Sequence, residues 1–199
     1  MKLFSRKMVK CVLQLFALCL VVPASLVWAQ EKPAAAVPEN PISTWNKYAY
    51  ARVKGILTRS AEKMPEESYS FKPVDTVRSY GQIIGHVADA QYLFCSIALG
   101  EKNPGLDIEH TKTTKADLVA ALTAAFAYCD KAYDTMTDAT AAQPIKLFGN
   151  DAPRIGALNI NNMHNMEHYG NLVTYMRIKG IVPPSSEQQP QAQAPPKKD

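Results

Sequence analysis

Apolar residues recur at mixed three- and four-residue steps through four long stretches of this chain, and that rhythm confines the fold to packed helices. Trp45, Tyr48, Ala49, Arg52, Val53, Ile56 and Leu57 carry it over 43–63, which Pro65 stops. Tyr80, Ile83, Ile84, Val87, Ala88, Gln91 and the run Leu93 to Cys95 carry it over 77–99, closed by Gly100. A threonine cap at Thr113 or Thr114, with Asp117 in the first turn, opens a third stretch through Leu118, Leu122, Ala125, Phe126 and Cys129 to Met136. The fourth covers 155–179 and ends at Gly180 before Pro183 and Pro184. No segment reads as a convincing strand. The expected fold class is therefore all-α, a four-helix bundle of antiparallel or crossover type, with long inter-helix loops and disordered termini.

The ends divide from this core by composition. Lys2, Arg6, Lys7 and Lys10, the apolar run from Cys11 to Val22 and the small residues of Val27-Trp28-Ala29 read as a secretory signal peptide over 1–29, cleaved after Ala29. The apolar run is shorter than the roughly 20 residues that span a bilayer, so no stable membrane anchor is expected after cleavage. A Pro/Ala-rich linker follows over 30–40, the bundle occupies 41–181, and 182–199 is a Pro/Gln-rich tail. The implied localisation is secreted or periplasmic.

Removal of the leader changes the charge. It holds four of the 22 Lys+Arg and none of the 18 Asp+Glu, so the remainder is balanced and lacks the basic footprint of a nucleic-acid binder. It also leaves two cysteines, Cys95 and Cys129. Their similar depth in the second and third helices means that a bridge between them requires those helices to run parallel. Because up-and-down connection is the commoner arrangement, the thiols are expected reduced.

The chemistry is carried by histidine. His164 and His168 stand four apart in MHNMEHYGN, on one helix face with Cβ atoms about 5–6 Å apart, so both imidazoles can reach one ion. His86, in YGQIIGHVADAQYLF, lies at a matching helix level and offers a third ligand. Three histidines leave coordination positions open, the mark of a catalytic rather than a closed structural site. Asn161, Asn171 and Tyr175 continue a polar stripe with the pair and are candidates to line a cleft around the ion. Asp89, one turn beyond His86, is the candidate to orient a ligand or act as base. Glu167 points about 100° away from His168 and is expected in solvent, as is His110 in the polar loop GLDIEHTKTT. Two loops, MPEESYSFKPVDT and QPIKLFGNDAP, are long enough to border a pocket, the second with an apolar Ile145-Leu147-Phe148 cluster suited to a lid or plug.

These pieces resemble the DinB/YfiT-like superfamily: GQIIGHVADAQ looks like its helix-two ligand segment, HNMEHYGNLVTYMR like its H-x-x-x-H pair, and MPEESYSFKPVDTVRSYGQ like the loop before helix two. The resemblance implies a four-helix bundle that binds a divalent metal, zinc or nickel, through His86, His164 and His168. In the family's characterised enzymes such a metal serves transfer or isomerisation chemistry with low-molecular-weight thiols. The family's H-x-x-x-H-R-G-Q becomes here His168 followed by Tyr169-Gly170-Asn171, so the ligands match while the Arg and Gln are altered. The expected partner is a small-molecule substrate, a thiol among the options, with a homodimer left open. The alternative is a non-catalytic exported helical binding or interaction module whose histidines form a structural or vestigial metal site.

Overall fold

The computed structural model describes residues 39–187; the expected signal peptide and most of the expected linker and tail lie outside them. Four long helices form the bundle: α1 Pro41–Lys63, α2 Tyr80–Leu99, α4 Lys115–Thr135 and α6 Arg154–Ile178. The short α3 Ile108–Thr111 and α5 Asp138–Ala141 interrupt the loops before and after α4.

Local chemistry sets the helix ends. Ser79 accepts from the Gln82 amide while the Gln82 side chain accepts from the Ser79 amide, a capping box that starts α2 at Tyr80, three residues later than its periodicity suggested. Gly100 closes it in the left-handed conformation, φ 73°. Thr114 caps α4 by accepting from the Asp117 amide. In α1 the cap is remote: the Asp138 carboxylate of α5 accepts from the Ile42 and Ser43 amides, and Asn40 Oδ1 accepts from the Asp138 amide in return.

The register of side-chain pairs gives the topology. Lys47 meets Asp134 and Lys54 meets Asp130, so α1 and α4 are antiparallel. Asn161 meets Gln91 and Tyr175 reaches the Arg78 carbonyl, so α2 and α6 are antiparallel. Gly81 lies against Leu118, and the Tyr92 and Tyr128 rings stand 5.1 Å apart, so α2 and α4 are parallel. The order is up-down-down-up, with 100–114 as the crossover.

That topology overturns the expectation of free thiols. Parallel α2 and α4 bring Cys95 and Cys129 to a Cα separation of 5.3 Å, and the two are joined by a disulfide. The crossover segment, long enough to return the chain to the starting end, is what permits it.

The core-facing stripe of α1 is Ser43, Asn46, Tyr50, Val53, Leu57, Ser60 and Ala61. Trp45 and Tyr48, read from the sequence as part of that face, are 70% and 50% exposed. Their aromatic character mimicked a core face that the steps of three and four from Ser43 define better. The expectation of no strand also needs correction. Pro144–Leu147 and Asn150–Pro153 form an antiparallel hairpin, β1 and β2, turning through Phe148 and Gly149 at φ 51° and 80°. Positive φ at both turn residues matches the twist of paired strands, and at four residues each the strands are too short for a period-two pattern to register. Finally, the expected tail begins packed: Pro183 and Pro184 are buried, the Ser185 amide donates to the Tyr169 hydroxyl, and Glu187 pairs with Lys63.

Candidate metal centre

Antiparallel α2 and α6 bring His86 level with His164 and His168. Their Nε2 atoms converge: His86 to His164 is 3.0 Å and His164 to His168 is 3.1 Å. With metal–nitrogen bonds of about 2.1 Å, ligands subtending roughly 90–109° at an ion have nitrogens about 3.0–3.4 Å apart, so the three donors fit one divalent cation on a single face. The ring-nitrogen chemistry fits as well. His86 Nδ1 lies 2.9 Å from Glu109 Oε2, so the neutral ring carries its proton on Nδ1 and turns the Nε2 lone pair to the centre. His168 Nδ1 faces the Asn171 side-chain amide at 3.4 Å.

The charge state suits a cation. Burial, then the neighbouring His168 and His86, pushes His164 down to about 3. Burial, then His86, pushes His168 down to about 4. Both imidazoles are therefore neutral, the form that binds metal, across the physiological range. Partial burial raises the Glu109 carboxyl, but the hydrogen bond and charge of Arg78, followed by His86, outweigh it and hold Glu109 below the usual range.

Glu109 is the candidate site residue the sequence reading missed. Its carboxylate accepts from Arg78 Nε at 2.7 Å and from His86, linking a cation to a candidate ligand. Two α2 residues hold it there. A Cβ on Gly85 would stand 2.7 Å from the Glu109 Cα, so only glycine lets this turn approach. Asp89 accepts from the Ile108 and Glu109 amides at 2.9 Å each. Nothing in the polar loop distinguishes Glu109 from its neighbours; its role comes from a contact 23 residues away in sequence.

The other candidates separate. Asp89, considered as a base, has both carboxylate oxygens engaged by backbone N–H groups and serves as the clamp for Glu109. Asn171 and Tyr175 do line a cleft: a cavity of about 680 Å³ bounded also by Lys72, Arg78, Gln82 and His168. Asn161 does not. It is wholly buried between α2, α4 and α6, donating to Gln91 Oε1 at 2.9 Å and lying 3.2 Å from the Tyr133 hydroxyl, beside the disulfide. Glu167 is exposed, and His110, 67% exposed, pairs with Asp107 outside the trio. The hairpin borders the site through aromatic rings: Phe148 meets Phe94 edge-on at 6.1 Å, and Phe94 lies 5.6 Å from the His164 ring.

A four-helix bundle with three converging imidazoles on two antiparallel helices is a metal-ready helical scaffold, and comparison with known proteins agrees on its lineage. The sequence profile of the DinB superfamily matches residues 49–172, and the chain belongs to that superfamily. The protein YjoA of Bacillus subtilis is 27% identical over 134 residues, covering 64% of this chain and 84% of YjoA. In fold, the chain is similar to the crystal structure of a DinB-like protein from Bacillus cereus at a TM-score of 0.63 and 18% identity, over 70% of this chain and 93% of that one. The crystal structure of YjoA gives a TM-score of 0.59 at 22% identity, over 73% and 99% of the two chains. A conserved protein from Enterococcus faecalis gives 0.58 at 15% identity, over 69% and 96%.

Proposed function

We propose that this is an exported DinB-superfamily metalloprotein that holds a divalent cation, zinc or nickel, through His86, His164 and His168, and acts on a small substrate at its open face. The observation that carries the reading is the convergence of the three imidazoles, whose ligand atoms lie within 4.8 Å of one another, His164 Nε2 standing 3.0 Å from His86 Nε2 and 3.1 Å from His168 Nε2, with Glu109 fixing the tautomer of His86. Such a cation supplies Lewis acidity, favouring the deprotonated form of a thiol or water at neutral pH. The chain's own residues bind and orient. His164 and His168, neutral to low pH, do not compete for the substrate's proton. Glu109 keeps the His86 proton on Nδ1, away from the centre. Arg78, Asn171 and Tyr175 shape the adjoining cleft. Export is supported by the leader-like residues 1–29 and by the Cys95–Cys129 bridge, since structural disulfides persist in oxidising compartments.

The second reading, a non-catalytic exported binding module, draws support from Asp89, whose carboxylate is committed to the backbone and unfree to move a proton. The experiment that separates them is metal analysis of the purified mature chain, followed by turnover assays pairing small thiols with electrophiles. One equivalent of divalent metal and metal-dependent turnover support the first; stoichiometric metal with no turnover and no thiol affinity supports the second. Metal-free protein that takes up none when zinc or nickel is supplied would sink both metal readings. Zero free thiols in the denatured, unreduced mature chain is expected if the protein is exported.

A further inference from the structure

Beside His168 the cleft carries an unfinished hydrogen-bonding group. Arg78 is held at one edge by Nε donating to Glu109, yet its side chain is 44% exposed, and its two terminal amino groups have no protein acceptor among the described residues. Arg78 and His168 line the same cavity of about 680 Å³. Lys72 lines it too, its ammonium engaged among the described residues only by the Asp75 carbonyl at 3.3 Å. Of the two lining carboxylates, Glu109 is spent on Arg78 and His86, and Asp75 sits on the exposed loop. A guanidinium fixed by its Nε presents a planar pair of N–H donors, which matches two oxygens of one oxyanion. Because Glu109 already orders the side chain, a ligand need not supply that ordering.

The geometry points to Arg78 as the anchor for an oxyanion, a carboxylate or phosphate group of the substrate, with Lys72 adding charge at the cleft wall. An anion held there leaves the rest of the molecule beside His168, at the edge of the histidine trio. The substrate class is thus a small acid whose reactive end reaches the metal-ready centre while its anionic end stays on Arg78. This placement rests on the reading of the histidines given above; the anion binding itself does not.

The test uses nitrogen-15-labelled protein and follows the Arg78 Nε–H signal. Acetate and succinate are titrated into metal-free and zinc-loaded protein, and inorganic phosphate into the metal-free form. A saturable shift is expected, with the preference between carboxylate and phosphate identifying the source of the oxyanion. Arg78→Lys keeps a cation against Glu109 but removes the planar fork, and affinity, followed on backbone amides of the cleft, should fall about tenfold, the loss of one charge-assisted hydrogen bond. Lys72→Gln, on the exposed loop, should weaken binding by a smaller factor without changing zinc stoichiometry. Equal affinity in wild type and Arg78→Lys, or no saturable response to either anion, overturns the inference. Failure of the metal reading is distinguishable, because the metal-free titration still reports on Arg78, and zinc stoichiometry is measured separately on the same samples.

Discussion

The α2–α6 interface carries polar side chains at two levels, and they are satisfied in opposite ways. At the level of Gln91, Asn161 and Asn165, all wholly buried, the amides bond to each other and to Tyr133, with the disulfide alongside. Further along the pair, His86, His164 and His168 are tied to protein from behind at His86 and His168, and their Nε2 atoms converge only on one another. Buried polar groups cost free energy unless paired. Apart from Asn161 Oδ1, which has no partner among the described residues, the first level is closed within the chain, whereas the second gathers acceptors that an external cation could complete. On this reading one level serves stability and the other a ligand.

If that contrast is right, substitutions at the two levels should have separable effects. The largest is expected from His164→Ala: stoichiometric divalent metal should fall to none by elemental analysis, while far-ultraviolet dichroism remains helical because four packed helices supply the stability. Loss of helix together with the metal would make the trio structural. At the other level, reducing the Cys95–Cys129 bridge, which spans 34 residues, should cost about 3–4 kcal/mol of unfolding free energy, read by denaturant titration at unchanged zinc stoichiometry.

Asn161→Leu removes one donor from Gln91 Oε1 and from the Tyr133 hydroxyl, which keep their bonds to Asn165 and to the Leu158 carbonyl, and should cost about 1 kcal/mol, again without touching the metal; a large drop in zinc affinity here would merge the two levels. Glu109→Gln should do the reverse, weakening zinc binding about 10–100-fold by calorimetry and leaving the metal-free denaturation midpoint nearly fixed.

The remaining test is the pH dependence of the metal-free protein. His164 and His168, at about 3 and 4 in the fold, lie below the 6.5 of a free imidazole. The unfolded chain therefore takes up protons first, and stability should decline as pH falls from about 6.5 toward 4. Replacing both histidines with alanine should flatten that part of the profile, and an unchanged slope would assign it to carboxylates instead.

Much of this was legible in the chain. Each long helix announced itself through periodicity and a chemical stop, because both are local: Gly100 and Thr114 act within a turn of where they sit. The histidine pair was legible for the same reason, a four-residue step on one helix. Asn161 misled because the same stripe that runs past His164 passes from cleft to core where the Gln91 and Tyr133 side chains meet it, and a helical wheel does not record what covers each turn. Asp89 misled because its partners, the Ile108 and Glu109 amides, arrive from a loop.

Sequence alone determined the four long helices to within three residues at each end, the kinship carried by HNMEHYGN and the three histidines that could share one ion. Only the tertiary structure decided that α2 and α4 run parallel, which joins Cys95 to Cys129, and that the crossover lays Glu109 over Gly85 behind His86. The division follows from range. Capping and periodicity are settled within a few residues of chain, whereas helix direction and loop docking depend on burying the faces of all four helices at once, a choice that no single segment encodes.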